Sequence, residues 1–149
     1  DGTGNINVSK FGPRIAGCGG FVNITQNTKN VVFCGTFTTG KLKEEIKDGK
    51  LTIIQEGSVR KFVPSVDHIT FSGDYARKQG QHVYYITERA VFEMKEDGIH
   101  LTEIAPGIDL QKDVLDQMGF TPIMKDVKIM PEFIFKDELM GLKEMKANR

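Results

Sequence analysis

The chain has 149 residues and a formal net charge of zero. Its 39% hydrophobic and 27% charged residues suit one globular domain or a large piece of one, and the balanced charge gives no bulk electrostatic case for nucleic acid or an anionic membrane. No apolar run approaches the ~20 residues of a bilayer span, and only two cysteines, Cys18 and Cys34, argue against a disulfide framework and for a reducing compartment such as the cytoplasm.

The opening residues, Asp1-Gly2-Thr3-Gly4-Asn5, have hairpin-turn chemistry, because Gly and Asn accept positive φ cheaply. Ile6 to Lys10 then alternates apolar and polar, like the return strand of a hairpin. The outgoing strand is absent, so the sequence is expected to begin partway through a longer polypeptide, and the lack of a leader segment carries little weight. Gly17-Cys18-Gly19-Gly20-Phe21-Val22-Asn23 follows, with Val31-Val32-Phe33-Cys34-Gly35-Thr36-Phe37 close behind. The second run is uncharged and apolar, which predicts a strand buried on both faces.

Further along, Leu42 to Ile46 and Leu51 to Gln55 flank Asp48-Gly49, and Ala90 to Met94 and Ile99 to Ile104 flank Asp97-Gly98. Each pair predicts a hairpin closed by a two-residue turn. His68 to Phe71 and Val83 to Ile86 are short β-rich runs, separated by the polar stretch Gly73 to Gly80, expected as a loop with a helical turn. Asp109 is placed to cap a helix over Leu110 to Met118, with Gly119 ending it. Asp137 to Met145 suggests a last, weaker helix, with a tail to Arg149 expected to fray. The sum is α/β with more strand than helix.

The glycine turn is the main candidate for chemistry. Three glycines in four residues allow positive φ and close backbone approach. Asn23-Ile24-Thr25 fits a short helix whose first N–H groups would face whatever the turn holds. Two uses follow: cradling a phosphate, or stabilising an oxyanion at a thioester carbonyl. A tight turn needed only for packing is the competing reading. The spacing is neither a Rossmann nor a Walker fingerprint.

Other candidates have plainer explanations. Glu88, beside Arg89 at a strand edge, suits an ion pair or a turn better than a catalytic carboxylate. Cys18 between glycines could be a reactive thiol, but no His lies near it in sequence. His68, His82 and His100 with two cysteines make no zinc spacing, so no metal is expected. Lys41, Arg77 and Lys78 could touch phosphates as point charges, though a solvated loop explains all three better. Met118, Met124, Met130, Met140 and Met145 read as gap-filling core or tail residues.

Several segments in order resemble the second half of a family I CoA-transferase, above all the single-chain acetate/propionate (short-chain acyl-CoA) type. Asn5-Ile6-Asn7-Val8-Ser9-Lys10-Phe11-Gly12 is similar to the lead-in, Gly17 to Phe21 to the glycine motif, and Val31 to Thr38 to the next core strand. Ile69-Thr70-Phe71-Ser72-Gly73, Ile86-Thr87-Glu88-Arg89-Ala90-Val91-Phe92 and Leu101 to Ile108 extend the likeness over nearly the whole chain. Asn23 stands where many relatives carry an acid. The resemblance implies a partial CoA-transferase-like three-layer α/β fold with a mixed, strand-rich sheet. Residues 1–149 would be the C-terminal part of the second (beta-type) domain.

The family's chemistry, as the resemblance implies it, is covalent. A glutamate attacks the acyl-CoA, a mixed anhydride forms, CoA thiolate makes a glutamyl-CoA thioester, and a second carboxylic acid receives the CoA. That glutamate lies upstream of the glycine motif. Only sixteen residues precede Gly17, and their sole acid is Asp1, so the nucleophile is expected in a missing upstream half. Gly19 and Gly20 would then be backbone oxyanion donors, and Gly17, Cys18, Phe21 and Asn23 would face substrate. Coenzyme A would be a substrate, with no covalently bound cofactor. Acyl-CoA, short-chain carboxylates and a homo-oligomer are the implied partners, with no nucleic acid or membrane. The competing functions are a non-catalytic CoA-binding or interaction module and an acyl-CoA hydrolase. A strand edge exposed by truncation would favour dimerisation or aggregation.

Overall fold

Asp-Gly chemistry closes the first of the two expected hairpins. In a computed structural model, which describes residues 1–147, Asp48 (φ 53°) and Gly49 (φ 74°) both take the left-handed conformation a tight hairpin turn requires. They join β5 (Lys43–Lys47) to β6 (Lys50–Gln55). The second hairpin joins β9 (Ala90–Lys95) to β10 (Gly98–Ile104). It closes one residue earlier than expected, since Lys95 pairs with Gly98 and Glu96-Asp97 make the turn.

The remaining elements are β1 (Lys10–Phe11), β2 (Arg14–Ile15), α1 (Phe21–Thr25), β3 (Asn30–Cys34), β4 (Thr38–Thr39), β7 (Val59–Arg60), α2 (Gly73–Lys78), β8 (His82–Ile86), β11 (Lys128–Ile129) and α3 (Leu142–Ala147). One five-stranded sheet runs β11-β10-β9-β8-β3. It is mixed: β8, β9 and β10 form an antiparallel meander, while β3 pairs parallel with β8 and β11 parallel with β10. The α/β class with a mixed, strand-rich sheet is as expected.

Register decides which side chains meet. Val31 and Phe33 of β3 lie beside Val83 and Tyr85 of β8, which lie beside Met94 and Phe92 of β9. This face is the core. Val83 and Phe92 are fully buried, and Phe33 packs on Phe71 and Tyr85 at 5.0 and 5.6 Å between ring centroids. A second aromatic stack, Phe37 on Phe62 at 4.6 Å and Phe62 on Phe92 at 4.8 Å, ties the β4–β7 ribbon to the sheet. Each such ring contributes roughly 2–3 kcal/mol by burial. Helix α2 is capped by Ser72 Oγ, which accepts from the Tyr75 amide at 3.2 Å. At Gly73 a Cβ would collide with the Thr3 carbonyl, so the opening turn and α2 can meet only through a glycine.

Four expectations change. The Val31 to Phe37 strand ends at Cys34 and is not buried on both faces: Val32 is 53% exposed. It ends because Glu88 Oε2 accepts from the Phe37 amide at 2.8 Å and turns the Phe37 ring into the core. Ile6 to Lys10 is no hairpin strand. Ile6 alone bridges Phe71, and Lys10 pairs forward with Ile15. The helix over Leu110 to Met118 is a π-helical turn, Leu110–Val114, followed by a 3₁₀ turn, Leu115–Gln117. Asp109 does cap it, accepting from the Lys112 amide at 2.7 Å. Arg89 takes the Asp113 carbonyl at 3.0 Å and Arg60 takes that of Asp116 at 2.8 Å. The Asp113 carbonyl is the one that a continuing α-helix would offer to Gln117. The last helix begins at Leu142 rather than Asp137, after Gly141 at φ 62°. The expected fraying at Arg149 lies outside the described residues.

Candidate functional site

Strands β3 and β8 run parallel and end side by side at Cys34 and Ile86. Ligands of open α/β sheets bind beyond such carboxyl ends. A cavity of about 640 Å³ opens there. Cys34-Gly35-Thr36 and Ile86-Thr87 line its floor, Phe21 and Phe33 one wall, and Val59 to Val63 another. The lining is mainly apolar, with Arg60, Lys61, Asp1 and Asp67 as its charged groups.

The glycine turn leads directly into Phe21, which lines the cavity. Gly17 (φ 79°) and Gly19 (φ 50°) are left-handed, and Gly20 (φ −83°) is the N-cap of α1. Gly17 donates to the Ser9 carbonyl at 3.1 Å, and the Cys18 carbonyl accepts from the Phe21 amide at 3.0 Å. Among the described residues, the amides of Cys18, Gly19 and Gly20 donate to no protein acceptor. No atom lies within 4 Å of a Cβ built on Gly17 or Gly19, so packing does not demand these glycines. Left-handed backbone and open approach do. Of the six expected turn residues, only Phe21 lines the cavity; it stacks on Phe33 at 5.7 Å. Gly17, Cys18, Gly19, Gly20 and Asn23 are exposed outside it.

A buried arginine stands behind the floor. Arg89 is fully buried, yet its guanidinium is paired: Nη1 with Glu56 at 2.6 Å and Nε with Glu88 at 2.7 Å. It also lies 5.0 Å from the centre of the Phe37 ring. Burial pushes the Glu56 carboxyl up, but hydrogen bonds from Arg89, Thr38 and Gly57 outweigh it and hold the group below the ordinary glutamate range. Burial likewise opposes the charge on Arg89, and its two carboxylates outweigh that and raise its pKa. Glu88 uses both oxygens, one on Arg89 and one on the Phe37 amide. It is a structural carboxylate, as expected from its setting.

The remaining candidates separate cleanly. Both cysteines are free and exposed; Cys34 lines the cavity and Cys18 does not. Arg77 is held by Asp74 at 2.6 Å and the Thr3 carbonyl at 3.0 Å, while Lys41 and Lys78 are solvated. His100 is buried against Asp97 at 2.6 Å, and His68 and His82 are exposed. Among the described residues, no group of His, Cys, Asp or Glu could hold a metal ion, and no helix is long and apolar enough to cross a membrane. Sequence reasoning missed Glu56, Arg89 as a hub, Thr36 and Lys61. Arg89 meets Glu56 and the Asp113 carbonyl 33 and 24 positions away, and Lys61 meets Thr36 25 positions away. No local motif announces such pairs.

Comparisons with known proteins find the sequence and the fold of this chain similar to a segment of CoA-transferases. Acetate CoA-transferase YdiF of Escherichia coli K12 is 56% identical over 142 residues, covering 95% of this chain and 27% of that protein. Caffeate CoA-transferase of Acetobacterium woodii is 51% identical over 148 residues, covering 95% of this chain and 28% of that protein. The YdiF acyl-CoA transferase of E. coli O157:H7, solved as a thioester complex with CoA, superposes with a TM-score of 0.92 over 95% of this chain and 28% of its own. The decarboxylase AibA/AibB, at 17% identity and a TM-score of 0.61 over 87% of this chain and 47% of its own, shares the fold alone. No family model matches the chain. The chain therefore spans a little over a quarter of the length of the curated relatives it matches, and the expected resemblance to CoA-transferases holds over nearly all of it.

Proposed function

We propose that this chain is the C-terminal part of the beta-type domain of a short-chain acyl-CoA:carboxylate CoA-transferase. The observation that carries the reading is the 56% identity and matching fold shared with an acetate CoA-transferase over 95% of the chain. In this reading CoA moves between carboxylic acids through a glutamyl-CoA thioester. The nucleophilic glutamate comes from the upstream half of the same polypeptide, and residues 1–149 alone are inert. Coenzyme A is a substrate, the working enzyme is a cytoplasmic homo-oligomer, and the acids are short.

The role of this segment is electrostatic. Among the described residues the amides of Gly19 and Gly20 have no protein acceptor, and they stand exposed just ahead of Phe21, which lines the cavity. Donors fixed in that way stabilise negative charge as it develops on a thioester oxygen, without reorganising during the reaction. Phe21, next in the chain, excludes water from the same corner of the cavity. Thioester energy is then retained by the enzyme rather than lost to hydrolysis.

The test is an exchange assay on the full polypeptide. Purified enzyme with acetyl-CoA and butyrate should yield butyryl-CoA and acetate in equal amounts, with little free CoA. Release of free CoA without butyryl-CoA would identify a hydrolase instead. Residues 1–149 alone should give neither product.

A further inference from the structure

We propose that Lys61 is an anion-binding residue of the cavity, receiving the carboxylate of the acid that enters it; this deepens the CoA-transferase reading and rests on it. Lys61 follows β7, whose Arg60 pairs with Thr38 of β4. The next residue, Phe62, is locked between Phe37 and Phe92, and its carbonyl accepts from the Gly119 amide at 2.8 Å. The backbone at Lys61 is thus held by the core although its side chain is exposed.

The ammonium is aimed rather than loose. Lys61 Nζ donates to Thr36 Oγ1 at 2.8 Å, and that hydroxyl donates onward to the Thr38 carbonyl at 2.7 Å. Thr36 therefore turns a lone pair toward Lys61 and uses one of its three N–H donors. Two donors remain. No carboxylate among the described residues pairs with Lys61. The other cation of the lining, Arg60, is turned by its bond to the Asp116 carbonyl and has no such tie to Thr36. The two acids of the lining are also engaged: Asp1 accepts from Thr3, Asn5 and Val66, and Asp67 from Gly12.

Gly35 keeps the ammonium open. A Cβ built there would lie 3.6 Å from Lys61 Nζ, so a larger side chain would cover it. A lysine with two unused donors in a mainly apolar cavity, at the ends of two parallel strands, matches an anionic oxygen group on a short apolar body. A short-chain carboxylate has that chemistry. A phosphate of CoA shares the anionic oxygens, and the test separates the two sources.

The first arm uses the full wild-type polypeptide. Reductive methylation of Lys61 is followed by peptide mass mapping in sodium chloride, sodium butyrate or CoA at one ionic strength, with Lys41 and Lys78 as exposed internal standards. Butyrate should slow modification of Lys61 selectively. Protection by CoA but not by butyrate would assign the anion to a phosphate. Equal rates in all three solutions would overturn the proposal. The second arm compares K61M with K61R. K61M should raise KM for the acid about tenfold, the usual worth of a hydrogen bond to a charged group, with little change in KM for acyl-CoA. K61R should recover most of the loss. A K61M enzyme with both KM values unchanged would also overturn it. If the wild-type enzyme transfers no CoA while butyrate still protects Lys61, the transferase reading fails and the anion site stands.

Discussion

The glycine turn and the Arg89 cluster are opposites. In the turn, backbone donors stand exposed with no protein acceptor among the described residues, none of which comes within 4 Å of where side chains at Gly17 or Gly19 would begin. In the cluster, a fully buried guanidinium is matched by two carboxylates, a carbonyl and an aromatic face. Polar groups with all partners inside the protein hold the fold and have nothing left for a ligand. Groups left unpartnered are the ones available for chemistry. Lys61 lies between these extremes: one donor is committed to Thr36 and two are free.

The largest expected effect is on the closed side of that comparison. Arg89→Met should destabilise the full protein by about 3 kcal/mol, because Glu56 and Glu88 keep their charges in a half-buried site without the partner. Urea titration measures it, and a loss below about 1 kcal/mol would rank the cluster with ordinary surface ion pairs.

On the open side the effect should appear in rate and not in stability. Gly20 has an ordinary φ of −83°, and a Cβ there would make only a normal 3.7 Å contact with Ile24. Gly20→Ala should therefore melt like wild type. The amide stays, but a methyl group beside it should crowd the thioester oxygen and lower kcat, by at most about the hundredfold that outright loss of one oxyanion donor costs. Equal activity would reduce the turn to packing. A smaller effect belongs to Ser72→Ala, which removes the cap of α2 and should cost about 1 kcal/mol with kcat intact.

Smallest is the pH dependence. Glu56 titrates below its ordinary value of 4.5 in the folded protein. Its contribution is complete above that ordinary value and is lost as pH falls through the lowered one. Stability of wild type should therefore drop on acidification below about pH 4.5 more than that of Glu56→Gln. Parallel curves would remove Glu56 from the cluster's electrostatics.

How much of this was legible in the sequence follows from the range of each interaction. The Asp48-Gly49 turn, the pairing of β9 with β10, the Asp109 cap and the short helix after Gly20 depend on neighbours within a few residues, and all were readable, though the second turn came one residue early. The early end of the Val31 strand and the broken helix after Asp109 were not. Each is caused by a side chain from far along the chain, Glu88 acting on Phe37 and Arg89 on Asp113. The glycine turn was legible as a candidate because it is local. Lys61 was not, because its meaning comes from Thr36, Gly35 and the cavity, which only the folded β4–β7 ribbon assembles.

The most direct measurement is to trap the covalent intermediate. The full polypeptide and residues 1–149 alone are each incubated with acetyl-CoA, treated with hydroxylamine or borohydride, and mapped by peptide mass. The expected result is one modified glutamate outside residues 1–149 in the full polypeptide and no mark on the isolated segment. A mark within the segment, on Glu88 or Cys18 for example, would contradict the division between a donor-bearing segment and a nucleophile supplied from elsewhere.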